Sequence, residues 1–275
     1  MVYARLIIAG EDYGIQNFMT PLRSFEDHTP LAGITIGNIG PKIGFNTMDN
    51  GYLRFDHVRI PRTNMAMRFI HVDSKGQYHN KMSTPQLLYF SMLEMRAHMI
   101  PFCAIQLAKA CTVAIRYSIV RQQGFKSSKD KAEHRVLDYQ TQQYRLLPLL
   151  ASSYALVLMG QRLVERLDRL NHQIQEGNTS ELATMHAVTC GLKVLCSTIA
   201  VNGIEECRRA CGGHGYLQSS GLPVRAGSSG FCCAANYVDA GYVWSGCSVG
   251  DRGRYSTVVK WVVGWVLRNE QVKTM

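Results

Sequence analysis

The chain has 275 residues, 46% of them hydrophobic and 18% charged, with a formal net charge of +10. A chain of this length can bury a sizeable core, as one large domain or as two smaller ones. Its uninterrupted apolar runs are much shorter than the roughly 20 residues of a membrane-spanning helix, and its N-terminus does not have the pattern of a secretory signal. We therefore expect neither a membrane span nor secretion.

The positive charge is scattered along the chain. No basic run is interleaved with aromatic residues, and no nucleic-acid-binding motif occurs. The charge suits acidic, nucleotide-like ligands equally well. Nucleic-acid binding stays a minor alternative, which a steep loss of affinity with rising salt concentration would reveal.

The nine cysteines indicate a reducing compartment. Their number is odd, no Cys-x-x-Cys pair occurs, and six of them lie in apolar, helix-like segments, where a thiol behaves as a small hydrophobic group. Cys207, Cys211 and His214 lie close together in the sequence, but no fourth zinc ligand is evident. We therefore expect no metal site.

Residues 1–75 are predicted to form β-structure. The runs rich in β-branched and aromatic residues are Val2 to Ile8, Ile15 to Leu22, Ile34 to Ile36, and Tyr52 to Ile60. Asp49-Asn50-Gly51 is a strong turn signal ahead of the last run. Within that run the apolar residues change from one face to the other, which predicts a bulge near His57.

From about Gln86 onward the apolar residues recur every three to four positions, which predicts helices. Three are expected, over about 86–119, 136–174 and 180–211. Pro101 should kink or divide the first helix, and Pro148 should kink the second. Ser180 is the predicted N-cap of the third helix, and Gly212-Gly213 should end it.

The predicted fold class is α+β, mostly α: a β-domain over 1–75 followed by a long-helix bundle over 85–223. Long helices usually pack in bundles of four, and only three are predicted, so one apolar face of the bundle has no evident partner. Residues 224–275 are rich in Gly and Ser without convincing periodicity. We expect them to form an atypical, poorly ordered tail.

Several motifs occur in a fixed order along residues 1–223. They are Pro30–Lys42, Asp49-Asn50-Gly51-Tyr52-Leu53, Val58–Met65, Leu137–Tyr144 and Ala210-Cys211-Gly212-Gly213-His214-Gly215-Tyr216. In this order they resemble the acyl-CoA oxidase family, flavoenzymes related to the acyl-CoA dehydrogenases. By this resemblance, 1–75 is part of a middle β-domain and 85–223 is an incomplete C-terminal bundle.

The resemblance implies FAD as cofactor, fatty acyl-CoA as substrate and a homodimer with FAD at its interface. The family reaction is an α,β-dehydrogenation in peroxisomal β-oxidation: a glutamate removes the α-proton, the β-hydride passes to the flavin, and O2 reoxidises the flavin to give H2O2. It also implies the peroxisome as location, although Lys273-Thr274-Met275 is not a Ser-Lys-Leu signal. The alternative is a non-catalytic module that pairs with a full-length oxidase through the uncovered apolar face.

The resemblance further implies a set of FAD contacts: Arg121, Gln123, Arg209, Gly212 and Gly213. The first two match an element that contacts the FAD diphosphate, for which a guanidinium is well suited. The other three match the element that cradles the FAD of the neighbouring subunit. Gln140 and Gln143 lie near the same interface in the family pattern. A solvated helix end, or polar residues on a bundle helix, are the alternatives.

The family's catalytic glutamate lies in a Tyr-Glu-Gly motif shortly after Gly-Leu-Pro. Here Gly221-Leu222-Pro223 is followed by Val224-Arg225-Ala226-Gly227, and no glutamate occurs between Glu206 and Glu270. Glu205 and Glu206 precede the glycine turn and are not placed to substitute. We therefore assign no catalytic residue, and we expect the chain as written to be inactive.

Overall fold

A computed structural model of the protein describes residues 1–42, 46, 48–82, 87, 90–125, 127–129 and 131–223. Within them, strands are followed by three long helices, which confirms the predicted α+β, mostly α class. The described chain divides into two compact units, one over 1–42 and 46–90 and one that begins at Ser91. The predicted tail over 224–275, with Glu270 and three of the cysteines, lies outside the described residues.

The first unit contains three antiparallel hairpins, each a two-stranded sheet. Their strands are β1 (Val2–Ile8), β2 (Glu11–Phe18), β3 (Ile34–Asn38), β4 (Gly51–Phe55), β5 (Ile70–Val72) and β6 (Tyr78–Asn80). Ala9 and Gly10 form the first turn with φ values of 52° and 88°. Two successive positive φ values match the twist of a two-residue hairpin.

Two predicted strand boundaries are wrong. The second strand runs over Glu11–Phe18 rather than Ile15 to Leu22, because the tight turn at Ala9 and Gly10 starts it early. The fourth strand ends at Phe55 rather than at Ile60. His57 has a φ of 50°, which an extended strand cannot contain.

The predicted bulge is also misplaced, since the irregular register lies between Arg5 and Ile7 of β1. The short strands β5 and β6 were missed because three residues each are too few to show a period of two. They matter to the fold all the same. Met65, Ile70 and Val72 form the buried centre of this unit, against which side chains such as Leu6 and Phe18 pack.

The second unit is built on helices α1 (Phe90–Val120), α2 (Gln140–Gln175) and α3 (Leu182–Ala210). The predicted start of α1 near Gln86 lies outside the described residues. Neither proline divides its helix, since α1 continues through Pro101 and α2 through Pro148. Helix α2 begins four residues later than predicted, because Val136–Asp138 forms a separate 3-10 turn.

The predicted N-cap of α3 is wrong. Glu181 occupies the cap position and no side chain caps the helix. Ser180 instead donates its backbone N–H to the Oδ1 atom of Asn178, at 3.0 Å. The Glu181 carboxylate accepts hydrogen bonds of 3.2 and 3.0 Å from Arg166 of α2, which ties the end of α2 to the start of α3.

Glycines allow the helices to approach closely. A β-carbon on Gly160 of α2 would lie 3.1 Å from the ring of Pro101 in α1. One on Gly203 of α3 would lie 2.6 Å from Leu107 of α1 and 3.1 Å from Leu149 of α2. A side chain at Gly160 would press on the rigid ring of Pro101, and one at Gly203 would require the Leu107 side chain to move.

All three helices are long and apolar enough to cross a membrane, by length and composition alone. The expectation of no membrane span is therefore not confirmed. It rested on uninterrupted apolar runs, whereas a mean hydropathy over 18 residues tolerates isolated polar residues.

Candidate functional site

The end of α1, the start of α2 and the end of α3 meet at one end of the bundle. Gln142 of α2 joins them: its Nε2 atom donates to the Oγ atom of Ser118 in α1 and to the carbonyl oxygen of Ala210 in α3, both at 2.9 Å. Gln142 is 8% exposed and Ser118 is fully buried. A buried amide with two partners in other helices fixes the relative positions of the three ends.

Sequence reasoning missed Gln142 and selected its neighbours. Gln140 is exposed. Gln143 is half-buried and donates to the carbonyl oxygen of Leu137, at 3.0 Å, in the 3-10 turn that precedes α2. The usable signal is that Gln142 lies four residues before the buried Leu146, on the same face of α2.

Arg121 and Gln123 lie directly after α1, and both are exposed. The Nη2 atom of Arg121 is 3.5 Å from the Oε1 atom of Gln123. Their backbone is held in place: the carbonyl oxygen of Arg121 accepts from the N–H of Val136 and the N–H of Gln123 donates to His134, each at 2.9 Å. The structure thus presents both predicted side chains to solvent on an anchored segment.

The glycine segment follows α3 as a 3-10 turn over Gly212–Tyr216. Gly212 has a φ of 56°, and a β-carbon on Gly212 or Gly213 would meet no atom within 4 Å. Both glycines therefore leave open space above an exposed backbone, as a flat or phosphorylated ligand requires. Gly215 differs from them, because it is buried against the carbonyl oxygen of Arg208.

His214 anchors this segment to α1. Its Nδ1 atom lies 3.2 Å from the hydroxyl of Tyr117, and the two rings are 5.3 Å apart. The carbonyl oxygen of Tyr117 accepts from the N–H of Arg121, at 2.8 Å. The two predicted parts of the site, at the ends of α1 and α3, are thus connected through Tyr117.

Charged side chains surround the end of α3. Glu205 accepts two hydrogen bonds of 2.7 Å from Arg208 and one of 2.9 Å from Arg209. The hydrogen bonds from Arg208, and then those from Arg209, lower the pKa of the Glu205 carboxyl to about 2. Glu205 is therefore an ion-pair partner at neutral pH and not a general base.

Arg209 is held by both neighbouring carboxylates. Besides Glu205, Glu206 lies 3.4 Å from its Nη1 atom. Its side chain is still 59% exposed, so part of the guanidinium faces solvent. These ion pairs orient Arg209. Its remaining N–H donors face solvent, where an anionic ligand can accept hydrogen bonds from them.

The trio considered as zinc ligands has other contacts. The Cys207 sulfur faces Cys111 at 3.9 Å, and His214 pairs with Tyr117. Among the described residues, no group of three or more His, Cys, Asp or Glu side chains is arranged to hold a metal ion.

An apolar stripe on α2 faces solvent. The large side chains in it are Tyr144, Leu147, Tyr154 and Leu158, with exposures of 82%, 50%, 67% and 63%. Leu147, Tyr154 and Leu158 belong to the same wide apolar stripe of α2 as the buried Leu146 and Leu163. Only part of that stripe is buried, because the other two helices of the second unit cover one side of α2.

The comparison with known proteins agrees with this architecture. Residues 89–235 match the family described as "Acyl-CoA oxidase, C-alpha1 domain". The chain is 48% identical to peroxisomal acyl-coenzyme A oxidase 1 of Mus musculus over 223 residues, which are 81% of this chain and 33% of the mouse protein. It is 47% identical to the Arabidopsis thaliana protein of the same name over 226 residues, which are 81% of this chain and 34% of that protein.

Solved structures give the same result. Acyl-CoA oxidase-2 of Caenorhabditis elegans, bound with FAD, ascaroside-CoA and ATP, has a TM-score of 0.84 and 42% identity, covering 88% of this chain and 37% of that chain. An acyl-CoA oxidase from tomato has a TM-score of 0.80 and 44% identity, covering 86% of this chain and 37% of that one. This chain spans about a third of the length of the curated relatives it matches.

Proposed function

This chain belongs to the acyl-CoA oxidase family, and we propose that its exposed bundle end binds the diphosphate of FAD. The proposed contacts are Arg121, Gln123, Arg209, Gly212 and Gly213. One observation carries the proposal: two exposed guanidiniums and an open glycine backbone lie on helix ends that Gln142 fastens together. The proposal includes the division into a β-domain over 1–75, a bundle over 85–223 and a tail over 224–275.

The chemical fit rests on the donors that the site offers. A guanidinium donates paired hydrogen bonds to phosphate oxygens, and the backbone at Gly212 and Gly213 has no side chain to keep a ligand away. Glu205 and Glu206 set the orientation of Arg209. We propose that a second copy, or a full-length oxidase, completes the site, as the resemblance implies for a dimer interface.

Bound FAD would supply the hydride acceptor for α,β-dehydrogenation of a fatty acyl-CoA. We propose that this chain as written does not perform that reaction. Removal of the α-proton needs a carboxylate base beside the α-carbon. No glutamate occurs between Glu206 and Glu270. The Glu205 carboxylate accepts hydrogen bonds from Arg208 and Arg209 and is therefore not available as that base. The relatives are named peroxisomal, so we propose the peroxisome as location.

Arg209→Ala is expected to weaken FAD binding roughly 10- to 100-fold, because hydrogen bonds to charged groups are worth about 1.5–3 kcal/mol. The quenching of flavin fluorescence during titration with the protein measures the dissociation constant. Arg162→Ala removes the same charge from an exposed α2 residue that pairs with Glu165, and it should leave the affinity unchanged. An equal loss of FAD affinity in Arg209→Ala and Arg162→Ala would show that only the net charge of the protein attracts FAD.

Absence of FAD binding by the unaltered chain would overturn the proposal, and the interaction module would become the leading function. That second candidate is favoured by the exposed stripe of Tyr144, Leu147, Tyr154 and Leu158 on α2. Monomeric proteins rarely expose large contiguous apolar patches. We propose that this face docks on another acyl-CoA oxidase chain.

Leu158→Asp is expected to abolish that association, because a charge in an apolar interface must be desolvated without a partner. Sedimentation velocity of the chain, alone and mixed with a full-length acyl-CoA oxidase, separates self-association from pairing with the oxidase. Thr198→Asp, at an exposed position of α3, is the matched control. A chain that sediments as a monomer under both conditions would rule the module out.

A further inference from the structure

Two buried thiols face each other between the first and third helices. The Sγ atoms of Cys111 in α1 and Cys207 in α3 are 3.9 Å apart, although 96 residues separate them in the sequence. Both residues are fully buried. Neither the proposed FAD contacts nor the family reaction gives this pair a role.

Helices α1 and α3 also pack against each other one turn before the two sulfurs. Gly203 lies one turn before Cys207, and Leu107 lies one turn before Cys111. A β-carbon on Gly203 would lie only 2.6 Å from the Leu107 side chain. To form a disulfide, the two sulfurs must approach from 3.9 Å to about 2.05 Å.

The two sulfurs are chemically unequal. The thiol of Cys207 donates its hydrogen to the Cys111 sulfur. That hydrogen bond lowers the pKa of the Cys111 thiol and, together with burial, raises the pKa of the Cys207 thiol. Of the two thiols, Cys111 therefore ionises more readily. Once local opening of the two helices admits an oxidant, Cys207, whose sulfur lies 3.9 Å away, is the thiol that can resolve a sulfenic acid formed at Cys111.

We propose that Cys111 and Cys207 form an intramolecular disulfide when the protein meets hydrogen peroxide. The Cys111 thiolate attacks one oxygen of the peroxide, the O–O bond breaks, and a sulfenic acid and hydroxide form. The Cys207 sulfur then attacks the sulfenic sulfur, the S–O bond breaks, and the second hydroxide leaves with the Cys207 proton as water. In total, two thiols lose two electrons and two protons, and one peroxide becomes two waters.

This inference does not depend on the proposed flavin site, since the peroxide is added from outside. The full chain is treated with hydrogen peroxide, alkylated under denaturing conditions and digested with trypsin. We expect the thiols to fall from nine to seven, with peptide 110–116 linked to peptide 194–208 at a mass two hydrogens below their sum. Reduction with dithiothreitol should restore both peptides.

Peptide 194–208 also contains Cys196, a buried α3 residue whose pKa burial raises to about 12. Cys196→Ala is therefore the matched control, and it must keep the cross-link. In Cys207→Ala the first step has no resolving thiol, so Cys111 should stop at the sulfenic acid and be trapped by dimedone. Irreversible oxidation of Cys111 without the cross-link, or loss of thiols only from other cysteines, would overturn the proposal.

Discussion

Gly215→Ala is expected to destabilise the helical unit by about 3 kcal/mol. The added β-carbon would overlap the carbonyl oxygen of Arg208, a backbone atom that cannot move without displacing the last turn of α3. Overpacking of this kind costs about 1–3 kcal/mol and sometimes more. The free energy of unfolding, from urea denaturation followed by circular dichroism, measures the loss.

The matched control is Gly213→Ala, two residues earlier in the same turn. A β-carbon at Gly213 would meet no atom within 4 Å, so its free energy of unfolding should change by less than about 0.5 kcal/mol. If Gly213 lies against FAD as proposed, this variant keeps its stability and loses flavin affinity. Equal destabilisation of the two variants would contradict the packing described for Gly215.

Gln142→Ala is expected to lower the free energy of unfolding by about 2–3 kcal/mol. The substitution removes two hydrogen bonds of 2.9 Å. It leaves the buried carbonyl oxygen of Ala210 without the hydrogen-bond donor that Gln142 supplied. An unsatisfied buried group costs about 1–3 kcal/mol. Urea denaturation again provides the measurement.

Gln143→Ala is the control for this prediction. Gln143 is only half-buried, and its hydrogen bond to Leu137 reaches the adjacent 3-10 turn rather than α1 or α3. We expect a loss below about 1 kcal/mol. A loss for Gln143→Ala as large as that for Gln142→Ala would mean that the contact among the three helix ends does not depend on the buried amide.

Local sequence was enough to predict the long helices and the glycine turn. Apolar residues recurring every three to four positions mark α1, α2 and α3, and the turn after α3 contains a glycine with the positive φ that few other residues adopt. The order of the motifs was enough to indicate the family. The FAD contacts at Arg121, Gln123, Arg209, Gly212 and Gly213 stay predictions.

Only the tertiary structure decided which polar residues lie inside. Three glutamines of α2, at 140, 142 and 143, look alike in the sequence, and only Gln142 is placed where two other helix ends offer a hydroxyl and a carbonyl. Likewise, an apolar stripe on α2 does not indicate which half is covered. The reason is the same in both cases: a side chain's environment depends on partners that lie far away in the sequence, as the pairing of Cys111 with Cys207 also shows.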